Sequence, residues 1–235
     1  MPKRASASLR TQNRPDTSLG SMSRIASLYE AYLRRAPRQS RSRSVVEAIL
    51  GAALEQLTRE GQEERVIVQG VADRAGVAMS SLYDYFGNRR NLLAAVAAKV
   101  TEDNRHAFES LLEKTAHLSR EEGVTRIVEF CLTRFTSDKR GPRAVLKVAH
   151  AVGLMPTIAQ STDVAAESLA RTLRKRNDIH VADVDLAAWT MTHAMMGVAH
   201  TLIWQDAPRW SNDLLRAELV RLFTDYLAGS RQAPP

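Results

Sequence analysis

Apolar residues recur every three or four positions along most of the chain, and this helical period constrains the fold more than any other feature. The first such stripe spans residues 22–33 and includes Met22, Ile25 and Leu28. A repeat of about 3.6 residues indicates amphipathic α-helices, whereas a half-buried strand alternates with a period of two. The only competing alternation, at residues 65–68, is too short to pair with anything obvious. The sequence therefore predicts an all-α fold.

The same pattern predicts the helix boundaries. Ser44 and Glu47 form a capping box that opens a helix, which Gly61 closes. Residues 39–43 are a basic link before it. The predicted helices cover residues 22–35, 44–60, 68–75, 78–86, 88 to beyond 112, 124–137, 142–153, 157–176, 183–204 and 212–228. Residues 1–21 show no period, so we expect them to be disordered.

Composition excludes several classes of protein. Apolar residues make up 44% of the chain and charged residues 25%, as in an ordinary globular protein. No apolar run approaches the roughly 18 residues of a membrane span, and the basic N-terminus lacks the apolar core of a secretory signal. The single cysteine, Cys131, excludes an internal disulfide and fits a reducing cytoplasm. We therefore expect a cytoplasmic protein that does not bind membranes.

The positive charge is concentrated at the N-terminus. Residues 1–43 hold ten Lys or Arg and two acidic residues, a net +8, whereas the remaining 23 basic and 24 acidic residues give −1. A basic arm beside a folded domain favours a polyanionic partner, most often nucleic acid. A solvated tail explains the composition about equally well.

Residues 68–86 have the pattern of a helix-turn-helix. The first helix is short and small-sided, and Gly76 supplies a turn in which a left-handed backbone is favourable only for glycine. On the second helix, Leu82 and Phe86 share one face. The other face carries Met79, Ser80, Tyr83 and Asp84, with Ser81 at its margin. A second helix with outward polar and aromatic side chains fits the major groove of B-DNA.

The segment VIVQGVADRAGVAMSSLYDYFGNRRNLLAAV resembles the DNA-binding region of TetR-family transcriptional regulators. The features that carry the resemblance are Val71-Ala72, Ala75-Gly76-Val77, Ser81-Leu82-Tyr83, Tyr85-Phe86, Asn88-Arg89 and Leu92-Leu93. The similarity extends from about residue 41 to about residue 100. Beyond it, only the chain length and the all-helical layout agree with the family.

The resemblance implies which residues contact DNA. Bases or phosphates are expected to meet Met79, Ser80, Ser81, Tyr83 and Tyr85. Arg89 matches the basic residue that contacts a phosphate, and Arg43 lies where an arm follows the DNA backbone. The sequence departs from the family at Ile67, which replaces the usual Thr or Ser cap, and at Ala78 and Met79, which replace more polar residues.

The C-terminal half predicts a dimer and a pocket. The 183–204 helix is apolar nearly all round, which indicates burial on two sides, and the last helix has a strong stripe that includes Leu222. Together with their symmetry mates these helices predict a four-helix interface of a homodimer, as the resemblance also implies.

A small-molecule effector is expected between these helices because family members commonly bind one there. His150, Met155, His193 and Met196 are the candidate pocket residues, although histidine and methionine at helical spacing are more often plain core. Cys131 is interpreted as a small core residue. No catalytic, metal-binding or cofactor motif stands out, so we expect no enzymatic activity, no metal and no cofactor.

Three segments follow from these patterns. Residues 1–40 form a basic N-terminal extension with a short amphipathic helix. Residues 41–101 form a three-helix DNA-binding domain with its helix-turn-helix at about 67–86. Residues 102–230 form a helical bundle for effector binding and dimerisation. The predicted function is a regulator, most simply a repressor, that leaves its double-stranded DNA operator when a small molecule binds. Two alternatives remain open: a nonspecific DNA-binding protein, and an all-helical ligand carrier or enzyme that has lost DNA binding.

Overall fold

The computed structural model describes residues 27–207 and 209–229, and within them the chain is all-helical. The α-helices are α1 (Ser40–Glu60), α2 (Val68–Ala75), α3 (Met79–Phe86), α4 (Arg89–Thr115), α5 (Arg120–Thr136), α6 (Arg140–Val152), α7 (Met155–Leu173), α8 (Val184–Trp204) and α9 (Asn212–Ala228). Two short 3-10 turns cover Leu28–Tyr32 and Glu63–Arg65. The predicted all-α fold class is confirmed.

Helix α1 begins one turn earlier than the sequence predicts. It starts at Ser40 rather than at Ser44, and the Gln39 backbone N–H donates to the Ser42 hydroxyl at 3.1 Å. The predicted capping box of Ser44 and Glu47 is therefore wrong, and the predicted basic link is the first turn of the helix. The end of α1 agrees with the prediction, because Gly61 adopts a left-handed conformation with φ of 67°.

The predicted N-terminal amphipathic helix is a 3-10 turn where the structure describes it. Residues 1–26, including the tail expected to be disordered and the start of this helix, lie outside the described residues. The turn Leu28–Tyr32 packs on α4, with Tyr29 buried in the core. Pro37 follows closely, and a proline disfavours helical conformation in the residue before it.

Helices α2 and α3 form the predicted helix-turn-helix. Gly76 caps α2 with φ of 67°, and the Val77 N–H returns to the Ala72 carbonyl at 3.0 Å. This arrangement is the usual glycine-dependent helix ending. Leu82 and Phe86 of α3 are fully buried, and burial of side chains of this size stabilises the fold by roughly 1.5–3 kcal/mol each.

Two hydrophobic cores share helix α4. The first half of α4, with Leu92 and Val96, packs into a core with α1, α2, α3 and α6. The second half, with Phe108 and Leu112, packs into a core with α5, α7, α8 and α9. A single 27-residue helix therefore runs from the helix-turn-helix into the C-terminal bundle.

Among the C-terminal helices, α8 and α9 begin within one residue of their predicted starts, whereas α5, α6 and α7 begin two to four residues earlier than predicted. The longest of them, α8, is covered by α5 and α7, and α9 packs on α5. The loop before α8 is fastened to α9, where the His180 N–H donates to the Leu227 carbonyl at 2.9 Å. None of the helices described has both the length and the apolar character needed to cross a membrane.

Candidate functional site

Helix α3 presents a polar and aromatic face to solvent. Ser80 and Asp84 are exposed, and Tyr83 keeps 39% of its surface accessible although it is a large aromatic residue. Met79, Ser81 and Tyr85 are half-buried at the margins of this face, and Met79 and Tyr85 also pack on the first core. The buried and exposed sides of this eight-residue helix thus separate as the sequence predicts, except that Met79, predicted on the outward face, packs on the core.

Arg89 lies at the start of α4 but its side chain turns toward the protein. Its Nε donates to the Val66 carbonyl at 3.1 Å, and one terminal nitrogen donates to the Glu63 carbonyl. These bonds tie α4 to the 3-10 turn that precedes α2. A guanidinium has five N–H groups, so part of its donor capacity remains for a phosphate. The adjacent Arg90 is exposed.

Two other predicted positions lie at helix starts. Arg43 is exposed in the first turns of α1, so it belongs to a helix rather than to a flexible arm. Ile67 occupies the N-cap of α2, makes no side-chain cap hydrogen bond and leaves 64% of its surface exposed. An aliphatic side chain at this position cannot accept a bond from the helix or donate one to a phosphate.

An internal cavity of about 340 Å³ lies among α1 and α4–α9. Its wall is mostly apolar and includes four aromatic rings: Phe108, Phe130, Phe135 and Phe223. Polar groups enter the wall at a few points, among them Thr192 and His200 of α8. The buried Thr192 hydroxyl has no hydrogen-bond partner among the described residues. A cavity of this size, with few polar groups, is typical of a small-molecule site.

The cavity contains one of the four residues predicted to line a pocket. Met196 lies in its wall, but His150, Met155 and His193 do not. His150 is exposed on α6, and Met155 is exposed at the first position of α7. His193 stacks on Trp189 with ring centroids 4.2 Å apart and approaches Asp163 of α7 at 3.4 Å. His200, seven positions further along α8, lines the cavity instead.

Burial shifts the pKa of two groups in the cavity wall. Desolvation lowers the pKa of His200, so the neutral imidazole is favoured inside the protein. Desolvation raises the pKa of Cys131 to about 12, so its thiol stays protonated at neutral pH. Cys131 is buried in the second core, as predicted, and it also borders the cavity. Neither group has the environment of a nucleophile.

The outer faces of α8 and α9 expose large apolar side chains. Leu186 and Trp189 of α8 are about half exposed, and so are Leu222 and Tyr226 of α9. Such residues are normally buried, and exposed groups of them are candidates for an interaction surface. In the single chain, therefore, α8 is covered on one side only, whereas its sequence predicts burial on two sides.

Two features of these sites are absent from the sequence-based prediction. One is the packing of residues 28–34 against α3 and α4, which no local pattern reveals because the partners lie about 50 or more positions away. The other is the orientation of α8, whose sequence is apolar on every side. Its periodicity therefore cannot distinguish the cavity face from the outer face.

Comparisons with known proteins connect this geometry to a family. Residues 49–96 match the family described as bacterial regulatory proteins, tetR family. Residues 121–227 match the family described as tetracyclin repressor-like, C-terminal domain. The first match contains the helix-turn-helix, and the second contains most of the cavity wall. No curated protein has a significant sequence match to the chain.

Several solved structures share the fold. A putative TetR-family transcriptional regulator from Mesorhizobium loti has a TM-score of 0.65 at 17% identity, over 80% of this chain and 98% of that one. One from Rhodococcus sp. has a TM-score of 0.59 at 22% identity, over 80% and 100%. The fatty acid degradation regulator FadR from Bacillus halodurans has a TM-score of 0.54 at 18% identity, over 79% and 99%. At these identities the similarity establishes the fold alone.

Proposed function

Because the chain belongs to the TetR family and is a DNA-binding transcriptional regulator rather than an enzyme, we propose that it is a homodimeric, cytoplasmic repressor that a small molecule releases from its operator. The observation that carries this proposal is the cavity, because its wall includes Leu54 and Thr58 of α1 as well as residues of the C-terminal bundle. A ligand there touches the helix on which the helix-turn-helix packs.

The proposed DNA contacts are those of the exposed α3 face and its margins. Ser80 and Tyr83 are directed toward base edges, with Met79, Ser81 and Tyr85 beside them. Arg43 and the free N–H groups of Arg89 are proposed to bind phosphates. Exposure of Ser80 and Tyr83 supports this assignment, since a packing role would bury them.

The proposed dimer uses the apolar outer faces of α8 and α9. A second copy with the same two helices would bury Leu186, Trp189, Leu222 and Tyr226 in a four-helix arrangement. Two-fold symmetry would also place the two copies of α3, the recognition helices, in successive major grooves. Dimers of this kind read a palindromic site in this way.

The proposed effector is a mainly apolar molecule that fills the cavity. Three methionine and four phenylalanine side chains contribute to its apolar wall, and Thr192 and His200 offer hydrogen bonds. The conformational effect of effector binding is transmitted to the recognition helix by two routes. The first is α4, which is continuous from the cavity to Arg89, and the second is the contact of α6 with α1. An effector shifts the equilibrium only if it prefers the conformation that does not fit the operator.

The experiment that tests the function is a selection of bound duplexes from a random pool, followed by competition with unrelated DNA at fixed salt. A regulator selects a palindromic site and prefers it by roughly 10³-fold or more. Tyr83→Ala should abolish much of that preference, while Arg126→Ala on α5, an exposed change outside both the helix-turn-helix and the proposed dimer surface, serves as the control. Enrichment of no common site, or equal binding by the Tyr83→Ala protein, would contradict the proposal.

A further inference from the structure

The N-terminal segment that precedes α1 is fastened to the helix-turn-helix, and we call residues 27–36 the strap. Tyr29 is buried in the first core, where Leu28, Tyr32 and Leu33 also pack. The Leu28 N–H donates to the Glu102 carboxylate of α4 at 3.3 Å. Burial also raises the pKa of Tyr32. These contacts show that the strap is part of the folded domain.

The far end of the strap lies against the end of the recognition helix. The Arg34 backbone N–H donates to the Tyr85 carbonyl at 2.6 Å. The Arg34 side chain passes over Gly87, since a Cβ built on that glycine would lie 3.9 Å from the Arg34 Cδ and 4.0 Å from its Cβ. Main-chain bonding and side-chain packing together place Arg34 between the end of α3 and the start of α4.

Arg34 therefore lies next to the exposed face of α3, at the end of that helix. Gly87 follows Tyr83 by four positions and Ser80 by seven, so it lies one turn beyond Tyr83 and two turns beyond Ser80 on the same side. Arg34 is exposed there. Within residues 27–207 and 209–229, no carboxylate forms an ion pair with it. An unpaired guanidinium therefore stands beside the α3 surface that the proposed function assigns to DNA contact, and the inference below rests on that assignment.

We propose that Arg34 binds a phosphate of the DNA backbone next to the recognition helix. The sequence resemblance assigns the phosphate contact in this region to Arg89, but two of the Arg89 nitrogens are bonded to carbonyls of the protein. Arg34 supplies a complete guanidinium at the neighbouring position, and this group grips two phosphate oxygens. Because the strap already holds its backbone, less conformational entropy is lost when the contact forms.

The test is the salt dependence of binding by the full chain to the duplex selected from the random pool. Each phosphate contact contributes about 0.9 to the log–log slope, which corresponds to about fivefold in affinity at 0.15 M salt. Arg34→Gln should lower the slope by this amount for each protomer bound, and Arg34→Lys should retain most of it. Arg126→Gln on α5 is the control, because it removes the same charge from an exposed site outside the helix-turn-helix.

Arg34→Met is the control for lost packing over Gly87, because methionine retains an apolar stem there without the charge. A slope that falls equally in the Gln and Met variants, with unchanged thermal unfolding midpoints, supports the phosphate contact. An Arg34→Gln slope equal to that of Arg126→Gln overturns it. Weaker binding with an unchanged slope also overturns it, because the strap would then act only by positioning α3.

Discussion

Gly141 of α6 lies directly against Thr58 of α1, and there is little room between them for a side chain. A Cβ built on Gly141 would lie 3.3 Å from both the Thr58 Cγ2 and Oγ1 atoms. Thr58 is in the cavity wall, and so is Gly141. This close approach joins the C-terminal bundle to the helix that supports the helix-turn-helix.

The first prediction concerns this contact. Gly51→Ala, on the open face of α1 where no atom lies within 4 Å, should raise the free energy of unfolding by about 0.5–1 kcal/mol through helix propensity. The free energy of unfolding of the Gly141→Ala protein should be lower than that of the Gly51→Ala protein by about 1 kcal/mol or more, because the new methyl group crowds Thr58. Urea denaturation of both variants measures the difference.

A double-mutant cycle identifies the cause. Thr58→Ala removes both atoms that the new methyl group meets, so combining it with Gly141→Ala should recover about 0.5–1.5 kcal/mol relative to the sum of the two single changes. Strict additivity would show that the two side chains do not interact and that the contact is not tight.

The second prediction separates two adjacent arginines. Arg89→Gln should lower the free energy of unfolding by about 1–3 kcal/mol, because the Val66 and Glu63 carbonyls lose their charged donor. Arg90→Gln should change it by less than about 0.5 kcal/mol, as is usual for an exposed residue. Chemical denaturation at neutral pH distinguishes them, and equal effects would mean that the Arg89 bonds contribute nothing to folding.

Sequence patterns were sufficient for several helices that have one polar and one apolar face. Helices α2 and α9 have the predicted boundaries, and the inward pair of α3, Leu82 and Phe86, is the predicted one. The amphipathic period determines both properties because one side of such a helix must leave water.

The errors fall where no such contrast exists. The first turn of α1 contains Ser, Arg, Ser and Arg, a sequence without an apolar period, so its helical state was not predictable. Arg89 finds its acceptors 23 and 26 positions away, and this separation leaves no local trace. On α8, His193 and His200 occur in equally apolar surroundings, and only the tertiary packing places His200 and not His193 in the cavity wall.

The third prediction concerns pH. Because burial lowers the pKa of His200, protonation favours the unfolded chain. The contribution of His200 to stability is complete above its unfolded pKa of about 6.5 and is lost progressively as the pH falls through and below that value. His200→Gln should therefore show a smaller fall in unfolding free energy between neutral and mildly acidic pH than the parent.

The matched control for His200 is the exposed His150 of α6. His150→Gln makes the same replacement at an exposed position outside the cavity wall. Parallel denaturation series at several pH values measure the three proteins. Identical pH profiles for the parent and the His200→Gln protein would show that the cavity wall does not discriminate against the charged imidazole.

The fourth prediction concerns the surface formed by α8 and α9. Leu222 is 53% exposed in the single chain, and it lies four positions before the exposed Tyr226. If a second copy covers this surface, Leu222→Glu would bury a carboxylate without a partner and should convert the dimer into 26.1 kDa monomers. Arg126→Glu on α5 is the control for an exposed change to glutamate and should remain dimeric. Sedimentation measures both masses, and far-UV circular dichroism should show that the Leu222→Glu protein is still helical, because Leu222 is not part of either core.

The affinity of the Leu222→Glu protein for a palindromic site should also fall, since two linked recognition helices bind more tightly than one. A Leu222→Glu protein that remained a dimer would place the interface elsewhere.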